Sequence, residues 1–64
     1  MKEFKIYTAI RTNGEVIYEL YSKANGWLEC IYVWENKEHM ELFLSFSPDG
    51  QELLINAWLK EKYS

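Results

Sequence analysis

Apolar and polar side chains alternate from Phe4 to Thr12, with Phe4, Ile6, Thr8 and Ile10 set against Lys5, Tyr7, Ala9 and Arg11. Period two is the pattern of a half-buried strand. Asn13-Gly14 follows, the pair that best tolerates the positive φ angles of a type I′ hairpin turn. A second strand, Glu15 to Ser22, places Val16, Tyr18 and Leu20 opposite Ile17, Glu19 and Tyr21. Lys23-Ala24-Asn25-Gly26 supplies another turn, and the stretch from Trp27 to Asn36 predicts a third strand that is apolar on both sides. After the polar connector Asn36 to His39, Met40, Leu42, Leu44 and Phe46 alternate with Glu41, Phe43 and Ser45, which predicts a fourth strand over Met40–Ser47.

The period changes at Ser47. A serine, then Pro48 and Asp49, is the order of an N-cap, a first-turn proline and an acid at the positive end of a helix. Leu54, Ile55, Trp58, Leu59 and Lys62 recur at three- and four-residue spacing, so a helix is expected from Pro48 to about Lys62. The expected fold class is therefore α+β: a four-stranded antiparallel β-meander followed by one C-terminal α-helix packed on one sheet face. Residues 1–64 form a single domain in this reading.

One helix covers only one face of such a sheet. The more continuous apolar set, which includes Ile6, Leu20, Leu28, Cys30, Trp34, Met40 and Leu44, is assigned to the helix side. The opposite face then carries Tyr7, Arg11, Ile17, Tyr21, Trp27, Ile31, Val33 and Phe43, within an acidic rim of Glu19, Glu29, Glu35 and Glu41. An open antiparallel face is ordinarily polar. Aromatic side chains and arginine inside a polar rim are what protein interfaces use as anchors, so this face is the candidate partner-binding surface.

Composition sharpens the picture in two respects. With 64 residues, 48% of them hydrophobic, the chain is too apolar for a disordered segment, yet small enough that its core must be dense or completed by association. Its only cysteine, Cys30, excludes an intramolecular disulfide and points to a reducing, cytoplasmic setting. Charged residues interrupt the first apolar run, so no signal peptide or membrane span is expected there.

Net charge is -3, and residues 24–64 hold seven acids against three lysines. That balance disfavours binding driven by phosphate neutralisation. Catalysis finds little support: His39 stands alone in a polar turn, Cys30 falls on the predicted core side, and no glycine-rich phosphate loop is present. Glu29, Glu35 and Glu41 fall on one predicted face, but without further oxygen ligands they do not make a metal site. The chain is read as non-enzymatic, with no cofactor and no metal.

Four antiparallel strands followed by a helix is an order in which the chain resembles the single-strand-binding coactivator domains. The segment "FSPDGQELLINAWL" is similar to the strand, capped turn and apolar helix at their C-terminus. The resemblance implies stacking of nucleic-acid bases on Tyr7, Tyr21, Trp27 and Phe43, with Lys5, Arg11 and Lys23 for phosphates. Carboxylates on the same face oppose it. A short acidic chain with a partner-like face also resembles the small inhibitor and adaptor proteins made by phages and mobile elements. The primary expectation is thus a protein-binding module, self-association as a homodimer included, with nucleic acid as the alternative.

Overall fold

The computed structural model describes residues 3–24 and 26–64. Three strands and two helices follow in chain order: β1 (Phe4–Ile10), β2 (Val16–Ala24), β3 (Trp27–Trp34), α1 (Lys37–Leu44) and α2 (Pro48–Lys62). The strands form one antiparallel sheet in the order β1-β2-β3, and both helices pack on the same side of it. The α+β class and the meander hold; four strands and a single helix do not.

The first hairpin closes as expected in place, with a slightly longer loop. Gly14 donates its N–H to the Arg11 carbonyl at 2.9 Å and Arg11 donates to the Glu15 carbonyl at 2.8 Å. Gly14 itself sits at φ 90, so the four-residue turn Arg11–Gly14 ends on one left-handed residue rather than forming a two-residue type I′ turn. Asn13 is held by its side chain instead, whose Oδ1 accepts from the Glu15 N–H at 3.0 Å. Of the second Asn-Gly pair, Gly26 has φ 82; Asn25 lies outside the described residues.

β3 contains the irregularity that decides the faces. Leu20 pairs with Tyr32, but its neighbour Tyr21 pairs with Cys30, leaving Ile31 as an extra residue in a β-bulge. Side chains of directly paired residues share a face, so the bulge inverts everything before it in β3. Leu28 and Cys30, expected in the core, stand on the open face opposite Lys23 and Tyr21. Trp27 and Glu29, expected on the open face, stand on the helix side.

The predicted fourth strand is helical. Asn36 is the N-cap of α1, and its side chain accepts from the N–H groups of Glu38 and His39. Lys, Glu, Met and Leu are good helix formers, and one turn of helix brings Met40 and Phe43 together on the buried side. Leu42, Leu44 and Phe46, expected inside with Met40, are exposed instead. Gln51 then caps the end of α1 by donating to the carbonyls of Phe43 and Leu44, each at 3.3 Å.

α2 matches its sequence signals throughout. Ser47 Oγ accepts from Gly50 N–H at 3.2 Å, Asp49 lies in the first turn and Lys60 and Lys62 in the last. The core formed between these layers is aromatic. Phe43 meets the rings of Phe4, Trp34 and Trp58 at centroid distances of 5.3 to 5.5 Å, and Trp58 stacks on Tyr32 at 4.2 Å. Leu20 and Ile55 are fully buried among them. Ser22, the one buried polar side chain among the described residues, donates its hydroxyl to the Glu3 carbonyl at 2.9 Å, so its polarity is satisfied. Among the described residues, no helix is long and apolar enough to cross a membrane.

Candidate functional site

The sheet face away from the helices is assembled by the register. One cross-strand row joins Lys5, Tyr21 and Cys30, the next joins Tyr7, Glu19 and Val33, and a third pairs Ala9 with Ile17. Lys23 and Leu28 pair beyond the first row. β1 and β2 deliver these side chains by simple alternation; β3 delivers Leu28 and Cys30 only because of the bulge. The result is a surface in which Tyr7, Leu28 and Val33 are exposed and Ile17, Tyr21 and Cys30 are half-buried by one another. Tyr7 and Tyr21 meet edge to face, with ring centroids 5.2 Å apart, a geometry favoured by the ring quadrupoles.

Glu19 sits in the middle of this apolar group. Its carboxylate pushes the Tyr21 hydroxyl above its ordinary pKa, helped by burial and by Cys30 and Tyr7. Burial pushes the Cys30 thiol up, and Glu19 adds to that shift. A backbone hydrogen bond at Tyr32 and the charge of Lys62 oppose it. Both groups are therefore neutral at physiological pH. Among the described residues, Glu19, Lys5 and Lys23 take part in no ion pair.

Of the eight side chains expected on this face, Tyr7, Ile17, Tyr21 and Val33 are there. Phe43 is not: only 3% exposed, it is a core residue of α1. Ile31 packs against the core cluster from the bulge. Trp27 points to the helix side, two pairs further along than Glu29, and is 74% exposed. Arg11 lies just past β1, where its guanidinium bonds Glu15 at 3.0 Å and Glu35 at 3.1 Å.

No family model, curated protein or solved structure matches this chain. Its candidate site therefore rests on geometry alone.

The four rim carboxylates do not form one array. Glu19 is central to the open face and Glu35 shares Arg11 with Glu15, while Glu41 projects from α1. Glu29 meets Tyr63 Oη and lies 3.9 Å from Lys62 Nζ on the helix side. Among the described residues, no three His, Cys, Asp or Glu side chains converge as a metal site would need. His39 is exposed at the start of α1.

Two clefts lie on the helix side. One of about 230 Å³ runs between α1 and α2, lined by His39, Leu42, Phe46 and Trp58 among others. The other, about 600 Å³, opens beside the β3 edge at Cys30, Ile31, Glu61 and Lys62. Lys62 bridges that edge by donating to the Cys30 carbonyl at 2.8 Å.

Leu28 and Cys30 are open-face residues that alternation assigned to the core.

Proposed function

We propose that this chain is a non-enzymatic protein-binding module of inhibitor or adaptor type, acting through the open face of its sheet. A single observation carries the reading. A contiguous group made of Tyr7, Ile17, Tyr21, Leu28, Cys30 and Val33 lies on the side of the sheet that neither helix covers. Contiguous apolar surface rimmed by charge is where soluble proteins meet partners. The chain's small size adds to the argument, because covering this face adds apolar burial that a domain of this length lacks.

Cys30 provides the test, since its thiol lies within the face. Its alkylation rate is measured in dilute purified protein, in concentrated protein and in extract of cells that make the chain. Protection of several-fold in the concentrated or the extract sample, abolished by Val33→Asp, is the expected result. Equal rates in all three samples overturn the reading.

A nucleic-acid reading retains one observation, the Tyr7–Tyr21 pair with Lys5 and Lys23 beside it. Glu19 in the same surface repels phosphate, and the resemblance in element order to the coactivator domains lapses with the fourth strand. Salt-sensitive binding of a labelled single-stranded oligonucleotide that weakens with Lys5→Ala would revive it.

A further inference from the structure

We propose that the occupant of the open sheet face is a second copy of this chain, stacked face to face with its strands antiparallel to the first. This rests on the protein-binding reading above and names its partner.

The argument is one of charge placement. Lys5 and Lys23 stand at one end of the face, without ion-pair partners among the described residues. Arg11, Glu15 and Glu35 gather at the other end, bonded at 3.0 and 3.1 Å, with one negative charge in excess. Glu19, with no ion-pair partner among the described residues, is half-buried between the two ends. Covering a face that holds an unpaired carboxylate is costly unless the covering surface supplies a cation. The face holds the required cations itself, at the end away from Glu35.

Only one of the two simple two-fold arrangements uses them. An axis along the strands superposes the lysine ends and the acidic ends, so like charges meet. An axis across the strands, between the Lys5 row and the Tyr7 row, reverses the second copy. Lys5 then lies over Tyr7 and beside Glu19 of the second copy, and Lys23 lies toward its Ile17 and Glu35. A two-fold interface repeats each contact, so both copies of Glu19 gain a cation and Cys30 of each copy lies over Val33 of the other. Packed sheets keep their strand directions within about 30°, which preserves these pairings.

Size sets the expected strength. Seven residues at about 3.3 Å and three strands at about 4.8 Å give a footprint of roughly 23 by 14 Å. That is well below the ~800 Å² per partner of a standard interface. The dimer therefore forms in the micromolar range or above and exchanges rapidly.

Sedimentation equilibrium over a concentration series, at low and high salt, tests the proposal with two charge reversals. Lys5→Glu and Glu19→Lys each place like charges across the interface, so each variant alone is expected to dimerise at least tenfold more weakly than the parent chain. Mixed together they restore the opposite pairs on both sides of the axis, and the mixture is expected to recover dimer. Circular dichroism of each variant checks that the fold is retained. A chain that stays monomeric at millimolar concentration overturns the proposal. So does a dimer indifferent to both reversals, as pairing through the β1 edge would be, and so does a mixture that fails to recover. A monomer whose Cys30 is still protected in cell extract removes the second copy and leaves the protein-binding reading standing; Cys30 unprotected everywhere removes both.

Discussion

The two faces of the sheet are built from the same three strands and differ in what holds them. On the helix side, Leu20, Ser22 and Trp34 are buried beneath Phe43, Ile55 and Trp58. On the open side, Tyr7, Glu19, Tyr21 and Val33 lie in neighbouring cross-strand rows that neither helix covers. Apolar content alone does not separate the faces. What separates them is whether a second layer follows in the chain. One face is finished by α1 and α2, and the other is left for something outside the fold.

The contrast breaks most sharply at its strong side. Phe43→Ala removes a side chain that pairs with four other rings and is expected to cost about 3–5 kcal/mol. For so small a domain that approaches the whole stability, so urea denaturation should find the variant largely unfolded in water. Ile55→Ala, at a fully buried site, should cost about 2–5 kcal/mol, read as a lower urea midpoint with unchanged slope.

Smaller effects test the helix that the period-two pattern concealed. Asn36→Ala leaves the N–H groups of Glu38 and His39 without their cap. A loss of about 1 kcal/mol is expected, with Asn36→Ser retaining most of it; equal stability for all three chains would mean that α1 does not begin there.

On the open face, Tyr7→Ser and Val33→Ser should shift the stability of the dilute protein by no more than about 0.5 kcal/mol. A large loss from either would show that this face is already supporting the fold. The smallest effect is electrostatic. Burial and Glu19 hold the Cys30 thiol above its ordinary pKa, so alkylation at pH 8 should lag behind that of an unstructured peptide thiol. Removing the carboxylate with Glu19→Gln lowers that pKa and raises the thiolate fraction, so the rate should increase.

How much was legible follows from where the signals lie. α2 was readable to the residue because Ser47, Pro48 and Asp49 mark its start and Leu54, Ile55, Trp58 and Leu59 mark its face. The first hairpin was readable because Asn13-Gly14 punctuates two alternating runs. β3 was half readable: alternation placed Tyr32 and Trp34 correctly and reversed Trp27 to Cys30, since nothing in a period-two pattern records an extra residue. α1 was misread because Met40, Leu42, Leu44 and Phe46 fit a strand, while Met40 with Phe43 fits a helix equally well. Asn36 with Glu38 in the first turn was the local sign that favours the helix. At the candidate site, Tyr7, Ile17, Tyr21 and Val33 were reached by alternation, whereas Phe43 and Ile31 were displaced by the helix and the bulge.

The bulge at Ile31 also bears on how this chain can change over generations. β3 carries one residue more than β2 needs. Losing Ile31 would therefore leave every strand pair on both sides of it intact and straighten the strand, at the cost only of that side chain's packing against the core. A one-residue deletion within β2 has no such slack to draw on, and would turn half of that strand's side chains to the wrong face. Length variation in this protein should accordingly be tolerated in its third strand and purged from its second.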